Sequence, residues 1–183
     1  MTRIISGFAG SLAIAVPPKG TRPTSDRVRE AIFSALEARD AITGATVLDL
    51  YAGSGSLGLE AASRGAVDVV LVEKNSAASA ICRRNAKLVL DRGPKNLRIT
   101  IAPIAVNSFL AGYKGKADLV FIDPPYDLGE DELAETLAAL PLADDAIVMV
   151  ERSSRSPEPR WPAGLELDRG KDYGDTTLWW ARS

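Results

Sequence analysis

The residues best equipped for chemistry lie in two short stretches, LVFIDPPYD at 119–127 and DLYAGSGSLGLE at 49–60. In the first, four apolar residues run into Asp123, two prolines and Tyr126. A buried strand ending at a Pro-Pro stop accounts for Pro124 and Pro125, because proline cannot donate to a ladder and restricts the residue before it. It leaves Tyr126 unexplained. In the second, Gly53, Gly55 and Gly58 form a GxGxxG arrangement that follows a strand-like run and opens a helix-like one, and Glu73 ends the next strand-like run. Glycines in that context let backbone approach a ligand, and the later carboxylate accepts hydrogen bonds from ribose hydroxyls. A ribose-bearing cofactor is expected here.

A dinucleotide would place its pyrophosphate on the helix N-terminus, where an adjacent anionic side chain is unhelpful. This loop opens with Asp49, which suits a ligand carrying an ammonium group; S-adenosylmethionine has no phosphate and carries a sulfonium and an amino acid moiety. The alternative is that Asp49 caps a turn and the glycines permit tight packing. The DPPY turn then has a use. An exocyclic amine on a base, or a side-chain amide, is a poor nucleophile because its lone pair is delocalised. A carboxylate and a backbone carbonyl held rigidly accept both N–H hydrogens and aim the lone pair, which is orientation and electrostatic preorganisation rather than strong-base catalysis. Tyr126 would stack on the flat substrate, worth roughly 1 to 3 kcal/mol per stacked base. The chemistry so assembled is methylation of an amino group.

Other chemistries are closed to the chain. Its 183 residues contain no histidine and one cysteine, Cys82. That excludes disulfide frameworks, Cys/His zinc sites and every histidine-based triad. Cys82, in ASAICRRNA, reads as helix core and is given no role.

The elements that must position these residues follow from periodicity. With 46% hydrophobic and 25% charged residues, the chain fits one globular unit over residues 24–183, preceded by a hairpin and linker over 1–23. Thr24, Ser25 and Asp26 supply capping side chains for a helix in which Val28, Ile32, Ala35 and Leu36 recur at helical spacing. From residue 46 the pattern alternates: strand TVLDLY, helix LGLEAASRG, strand VDVVLVEK, helix SAASAICRRNAKLVLD, strand LRITIA, strand ADLVFID, helix EDELAETLAAL, strand DAIVMVE. Val/Ile/Leu-rich strands separated by helices imply a parallel sheet covered on both faces. GLELDRG and TTLWWARS read as two closing strands, and RSSRSPEPRWP, residues 152–162, as a loop, the segment expected to be most mobile.

Net charge is −2, yet residues 1–39 carry six basic side chains against three acidic ones. That end either meets phosphate or is an ordinary solvated helix face. MTRIISGFAGSLAIAV has the early arginine and Ala-x-Ala of a leader, but Ser6, Gly7, Gly10 and Ser11 interrupt its apolar run. GFAGS is expected to be a hairpin turn instead. No run reaches the eighteen or so apolar residues of a membrane span.

DPPY resembles the [DNS]PP[YFW] signature of methyltransferases acting on planar amino groups. TRPTSDRVREAIF, with RIISG, DLYAGSGSLGLEAASRGA, FIDPPY and a late KDYGDT, resembles the RsmD family over nearly the whole chain. The resemblance implies a Rossmann-like class I methyltransferase fold of α/β type: a mostly parallel seven-stranded sheet with helices on both faces and an N-terminal β-hairpin. It implies methylation of N2 of one guanine of 16S rRNA within the small ribosomal subunit, with S-adenosyl-L-methionine as cofactor, in the cytoplasm. Neither membrane nor metal is implied, and a monomer is favoured. Carried over by position, Asp49, Gly53, Ser54 and Gly55 would line the cofactor loop and Glu73 would hold the ribose. Asp123 and the Pro124 carbonyl would bind the amino group and Tyr126 would stack on the base. Thr21 to Thr24 resemble a cofactor-contact motif, with Thr24 on the cofactor and Arg22, Arg27 and Arg29 on cofactor carboxylate or RNA phosphate.

The chain departs from the family in two places. GFAGSLAIAV has no basic residue, so the grip of the hairpin on phosphate is in question. No acidic residue follows the third strand before Asn107, so backbone near Ile104 to Val106 would hold the adenine. Rival readings are an adenine-N6 DNA or protein-glutamine methyltransferase, and a non-catalytic RNA-binding assembly factor. Only 56 residues follow Asp127, leaving little room to read DNA sequence; a structured RNA recognised by shape fits better. Binding alone would not require the intact DPPY turn.

Overall fold

The computed structural model describes residues 1–17 and 25–183. The expected helix–strand alternation is present. A two-stranded antiparallel hairpin, β1 (Thr2–Arg3) and β2 (Ala13–Ile14), is followed by α1 (Asp26–Glu37), β3 (Thr46–Leu50), α2 (Ser56–Ser63), β4 (Asp68–Val72), α3 (Ser76–Leu90) and β5 (Arg98–Ala102). Then come α4 (Val106–Gly112), β6 (Ala117–Ile122), α5 (Glu130–Ala138), β7 (Leu142–Ser153), β8 (Glu166–Tyr173) and β9 (Thr176–Arg182). The main sheet has the order β5-β4-β3-β6-β7-β9-β8. All pairs are parallel except those made by β9, which lies antiparallel between β7 and β8.

Side chains alternate across this sheet with period two, so each strand feeds two cores. Val47, Val69, Leu71, Leu119, Phe121, Ile147 and Met149 face one core, which α1, α2, α3 and the hairpin cover. Leu48, Leu50, Val70, Val72, Val120, Ile122, Val148 and Val150 face the other, covered by α4 and α5. From β3 the chain steps outward to β4 and β5, then returns to β6 on the other flank of β3. The reversal opens a crevice at the carboxyl ends of β3 and β6, where ligands of such sheets bind. Both chemistry-bearing stretches begin there.

Two elements differ from the sequence reading. The α4 helix was not anticipated, because VNSFLAG is too short to show a period; Val106 and Leu110, four apart, are its buried residues. Strand β7 runs on to Ser153, so Arg152, assigned to a loop by its Ser- and Pro-rich neighbours, is buried in a strand.

The hairpin is built into the first core rather than appended to it. Ile4, Ala9 and Ile14 are buried there. Glu60 of α2, fully buried, accepts from the Ile5 N–H at 2.6 Å, the Ser6 N–H at 3.0 Å and Arg64 Nε at 2.7 Å. Ser63 accepts from the Ala9 N–H through its hydroxyl and from the Phe8 N–H through its carbonyl. A buried carboxylate is tolerated only when so paired. Glu60→Ala should therefore cost about 3 kcal/mol in a urea denaturation, and a loss below about 1 kcal/mol would show that Glu60 does not anchor the hairpin.

Candidate active site

The crevice is a cavity of about 530 Å³ lined by Gly53, Ser54 and Glu73 on one side and by Asp123, Pro124, Pro125 and Tyr126 on another. Ile104, Ala105, Val106 and Asn107 form part of the wall, and Val16 and Pro17 bring the hairpin exit to it. The two stretches singled out in the sequence thus share one space. The parallel register of β3 with β6, Asp49 against Phe121 and Leu50 against Ile122, brings the two loops together.

The glycine loop is held open by groups outside itself. Gly55, at φ +79°, is the N-cap of α2 and has no side chain to cap it. Asp49 fills that role from the adjacent strand: its Oδ2 accepts from the Gly58 N–H at 2.8 Å, as an N-cap side chain would. A Cβ on Gly58 would lie 2.4 Å from Leu71 Cδ2, so this third glycine serves helix–sheet packing. Glu73 ties the loop to the next unit, accepting from the Gly53 N–H at 2.9 Å through one oxygen and from the Asn75 N–H at 2.7 Å through the other. An ionised carboxylate has about four acceptor sites, so both oxygens retain capacity for hydroxyl donors.

Helix α3 holds the loop's carbonyls. The Cys82 thiol donates to the Gly53 carbonyl at 3.0 Å, and Asn85 Nδ2 donates to the Ser54 carbonyl at 2.9 Å. Asn85 also exchanges two hydrogen bonds of 2.9 Å with the Ala15 backbone at the hairpin exit. Burial, with Asp49 and Glu73 nearby, pushes the Cys82 thiol up to about 12, so it acts as a neutral donor and not as a nucleophile. Cys82 and Asn85 were missed in the sequence; their three-residue spacing puts both on one helical face, but nothing local says what that face meets.

Asp49 is 1% exposed and does not line the cavity; period two sends its side chain beneath α2. The turn-capping alternative describes its placement. Its Oδ1 nevertheless makes no hydrogen bond among the described residues, a buried acceptor left open beside the loop. Burial chiefly, opposed by the Gly58 N–H and reinforced by Glu73, raises its carboxyl to about 7.

Tyr51 leads into the loop at φ +66°, a conformation bulky residues adopt only under constraint. It lines the cavity with Glu132, Glu151, Arg152 and Thr176, none of which the sequence reading proposed. Arg152 is held by Glu130 and by the Leu128 carbonyl. Tyr126 is 72% exposed, an aromatic ring standing at the mouth.

The arginines separate. Arg27 is exposed on α1. Arg29 is 1% exposed and donates to Asp26 Oδ1, the Thr2 hydroxyl and the Arg3 carbonyl. It ties α1 to the hairpin, so no surface offers it to RNA; its Nε and Nη1 make no hydrogen bond among the described residues. Thr24 and Arg22 lie outside the described residues.

The family model described as Conserved hypothetical protein 95 matches residues 2–182. Among curated relatives, the Ribosomal RNA small subunit methyltransferase D of Escherichia coli (strain K12) is 39% identical over 177 residues, which are 94% of this chain and 85% of the relative. The Putative rRNA methyltransferase YlbH of Bacillus subtilis (strain 168) is 30% identical over 182 residues, 95% of each. The solved structure of the putative methyltransferase yhhF from Escherichia coli superposes with a TM-score of 0.83 at 33% identity, covering 99% of this chain and 97% of that one.

The Asp49 carboxyl sets a pH dependence. Its folded value of about 7 lies above the unfolded value near 4, so between these pH values the native state keeps a proton that the unfolded chain has lost. Its contribution is fully present below about pH 4 and is lost as pH rises through about 7. Denaturation midpoints of the ligand-free protein should carry this decline, and Asp49→Asn should flatten it; parallel profiles would show that Asp49 is not the group responsible.

Proposed function

The chain belongs to the family described as conserved hypothetical protein 95, that of the ribosomal RNA small subunit methyltransferases D, and has the class I methyltransferase fold; from that membership we propose that it transfers a methyl group from S-adenosylmethionine to the exocyclic N2 amino group of one guanine of 16S rRNA, in the small ribosomal subunit, in the cytoplasm. The observation that carries the reading is that the rigid Asp123-Pro124-Pro125-Tyr126 turn and the Gly53–Glu73 bracket line the same cavity.

The residues fit the cofactor. Gly53 and Ser54 offer backbone, Glu73 offers acceptor capacity to ribose hydroxyls, and residues 104–107 offer an edge without a carboxylate for the adenine. When bound, the cofactor supplies a methyl group on a sulfonium, an electrophile that needs no metal.

The work left to the protein is positioning. Asp123 and the Pro124 carbonyl accept the two N–H hydrogens of the guanine amine and direct its lone pair. Prolines at 124 and 125 remove backbone donors that would compete for the same acceptors, and the Pro125 carbonyl closes the turn by accepting from the Leu128 N–H at 3.0 Å. Bound there, the cofactor would give up its methyl group to the amine nitrogen and its sulfur would leave as a neutral thioether. The nitrogen sheds one proton, for which Asp123 is the adjacent acceptor. Tyr126 stacks on a base that is flipped or already unpaired; unstacking costs a few kcal/mol in a helix and less in a loop.

Asp123→Ala should lower methyl transfer at least about 100-fold while leaving cofactor affinity unchanged, and substantial residual transfer would remove Asp123 from the role given it. Glu73→Ala should weaken cofactor binding roughly 10- to 100-fold by calorimetry; unchanged affinity would mean the ribose lies elsewhere. The function itself is tested by labelled transfer to small-subunit particles lacking the modification, with naked rRNA and duplex DNA in parallel and nucleoside mass spectrometry as readout. N2-methylguanosine is the expected product. Label only on DNA or protein would overturn the assignment.

A further inference from the structure

Charge is segregated across the sheet. Residues 74–98, which contain α3, carry seven basic side chains and one acidic; residues 118–145, which contain α5, carry nine acidic and none basic. The two helices cover opposite cores, so in a chain of net charge −2 the α3 segment is basic and the α5 segment acidic on opposite sides of the sheet, with Glu130 and Asp131 of the latter paired to Arg152 and Arg160.

Local structure explains part of this. Glu130, Asp131 and Glu132 sit in the first turn of α5 and Lys87 in the last turn of α3, where the helix dipole favours them. Lys87 also pairs with Asp91 and Arg98 with Asp68. Arg83 and Arg84 are different. They lie in the middle of α3, exposed, and with Arg92 and Lys95 make no ion pair among the described residues. Such a cluster is unfavourable to the isolated protein through self-repulsion, and neither capping nor pairing accounts for it.

Its position is informative. Glu73 and Lys74 line the cavity, and α3 starts at Ser76 immediately beyond them. Arg83 and Arg84 stand about 12 Å along the helix from that start, on the core that also carries the hairpin. The described part of the hairpin offers only Arg3; on the same side of the sheet Arg39 and Arg64 are taken up in ion pairs and α1 adds Arg27, so α3 carries the densest cluster of unpaired basic side chains among the described residues there. Resting on the RNA-methylation reading above, we infer that the exposed face of α3, carried by Arg83, Arg84 and Lys87 and continued by Arg92 and Lys95, is the surface on which the phosphate backbone flanking the target base lies. The acidic face of α5 repels the same backbone, so the RNA enters the cavity from the α3 side only.

The test is the salt dependence of binding to small-subunit particles. Each phosphate contact contributes about 0.7 to 0.9 to the slope of log K against log salt. The triple variant Arg83→Glu/Arg84→Glu/Lys87→Glu should bind more weakly, with a slope shallower by about 2 to 3, and should keep wild-type affinity for S-adenosylmethionine, which certifies its fold. Glu135→Lys/Asp144→Lys, on the opposite face, should keep the wild-type slope. An unchanged slope in the triple variant would overturn the inference, whether or not affinity falls, because lost affinity at constant slope places α3 against protein rather than phosphate. Wild-type protein that neither binds nor methylates the particle would instead overturn the functional reading beneath it.

Discussion

A loop that presents its backbone to a ligand can bond only a little with itself, here through the Gly55 N–H to the Ala52 carbonyl, so its other N–H and C=O groups need partners supplied from elsewhere. The site depends on meeting that constraint at residues 53–58. Glu73 takes the Gly53 N–H, Asp49 takes the Gly58 N–H, Cys82 gives to the Gly53 carbonyl and Asn85 gives to the Ser54 carbonyl. Four side chains from β3, the end of β4 and α3 hold one short stretch without filling the space in front of it. The same parallel pairing that delivers β3 to this loop delivers β6 to the DPPY turn, so the two halves of the site are set by one sheet register.

Much of this was legible in the sequence because it rests on residues with restrictive backbone or strong periodicity. The glycine spacing, the Glu73 offset, the Pro-Pro stop after an apolar run and the Val/Ile/Leu strands each have few structural solutions, and together they specify the sheet, the crevice and the cavity-lining stretches. What stayed hidden depends on contacts distant in sequence. Nothing in CRRNA says that Cys82 and Asn85 meet carbonyls some thirty residues earlier. Arg152 looked like loop because its neighbours favour turns, yet β7 carries it into the wall of the cavity. Arg29 shows the converse: an arginine in a basic segment suggested phosphate, and burial turned it inward.

Asp49 sits where its turn-capping reading puts it, beneath α2 and outside the cavity. Geometrically it is the cap that Gly55 cannot provide, because the position needs φ +79° and tolerates no Cβ, which would come within 2.8 Å of Leu71. Electrostatically it is a carboxyl whose burial makes ionisation unfavourable and whose second oxygen makes no hydrogen bond among the described residues.

The hairpin has the look of an accessory, since it forms its own two-stranded sheet. Gly7 says otherwise: a Cβ there would stand 1.8 Å from the Ser63 carbonyl oxygen, and the residue has φ +80°. With Glu60 and Ser63 receiving its backbone and Asn85 clasping its exit, the N-terminal segment is bound to α2 and α3 at contacts that fail one-sidedly if either partner changes. Its sequence is consequently not free to drift alone. Among divergent relatives such positions must be inherited as a set, and a hairpin transplanted between them as a cassette would arrive without the surface that shapes it.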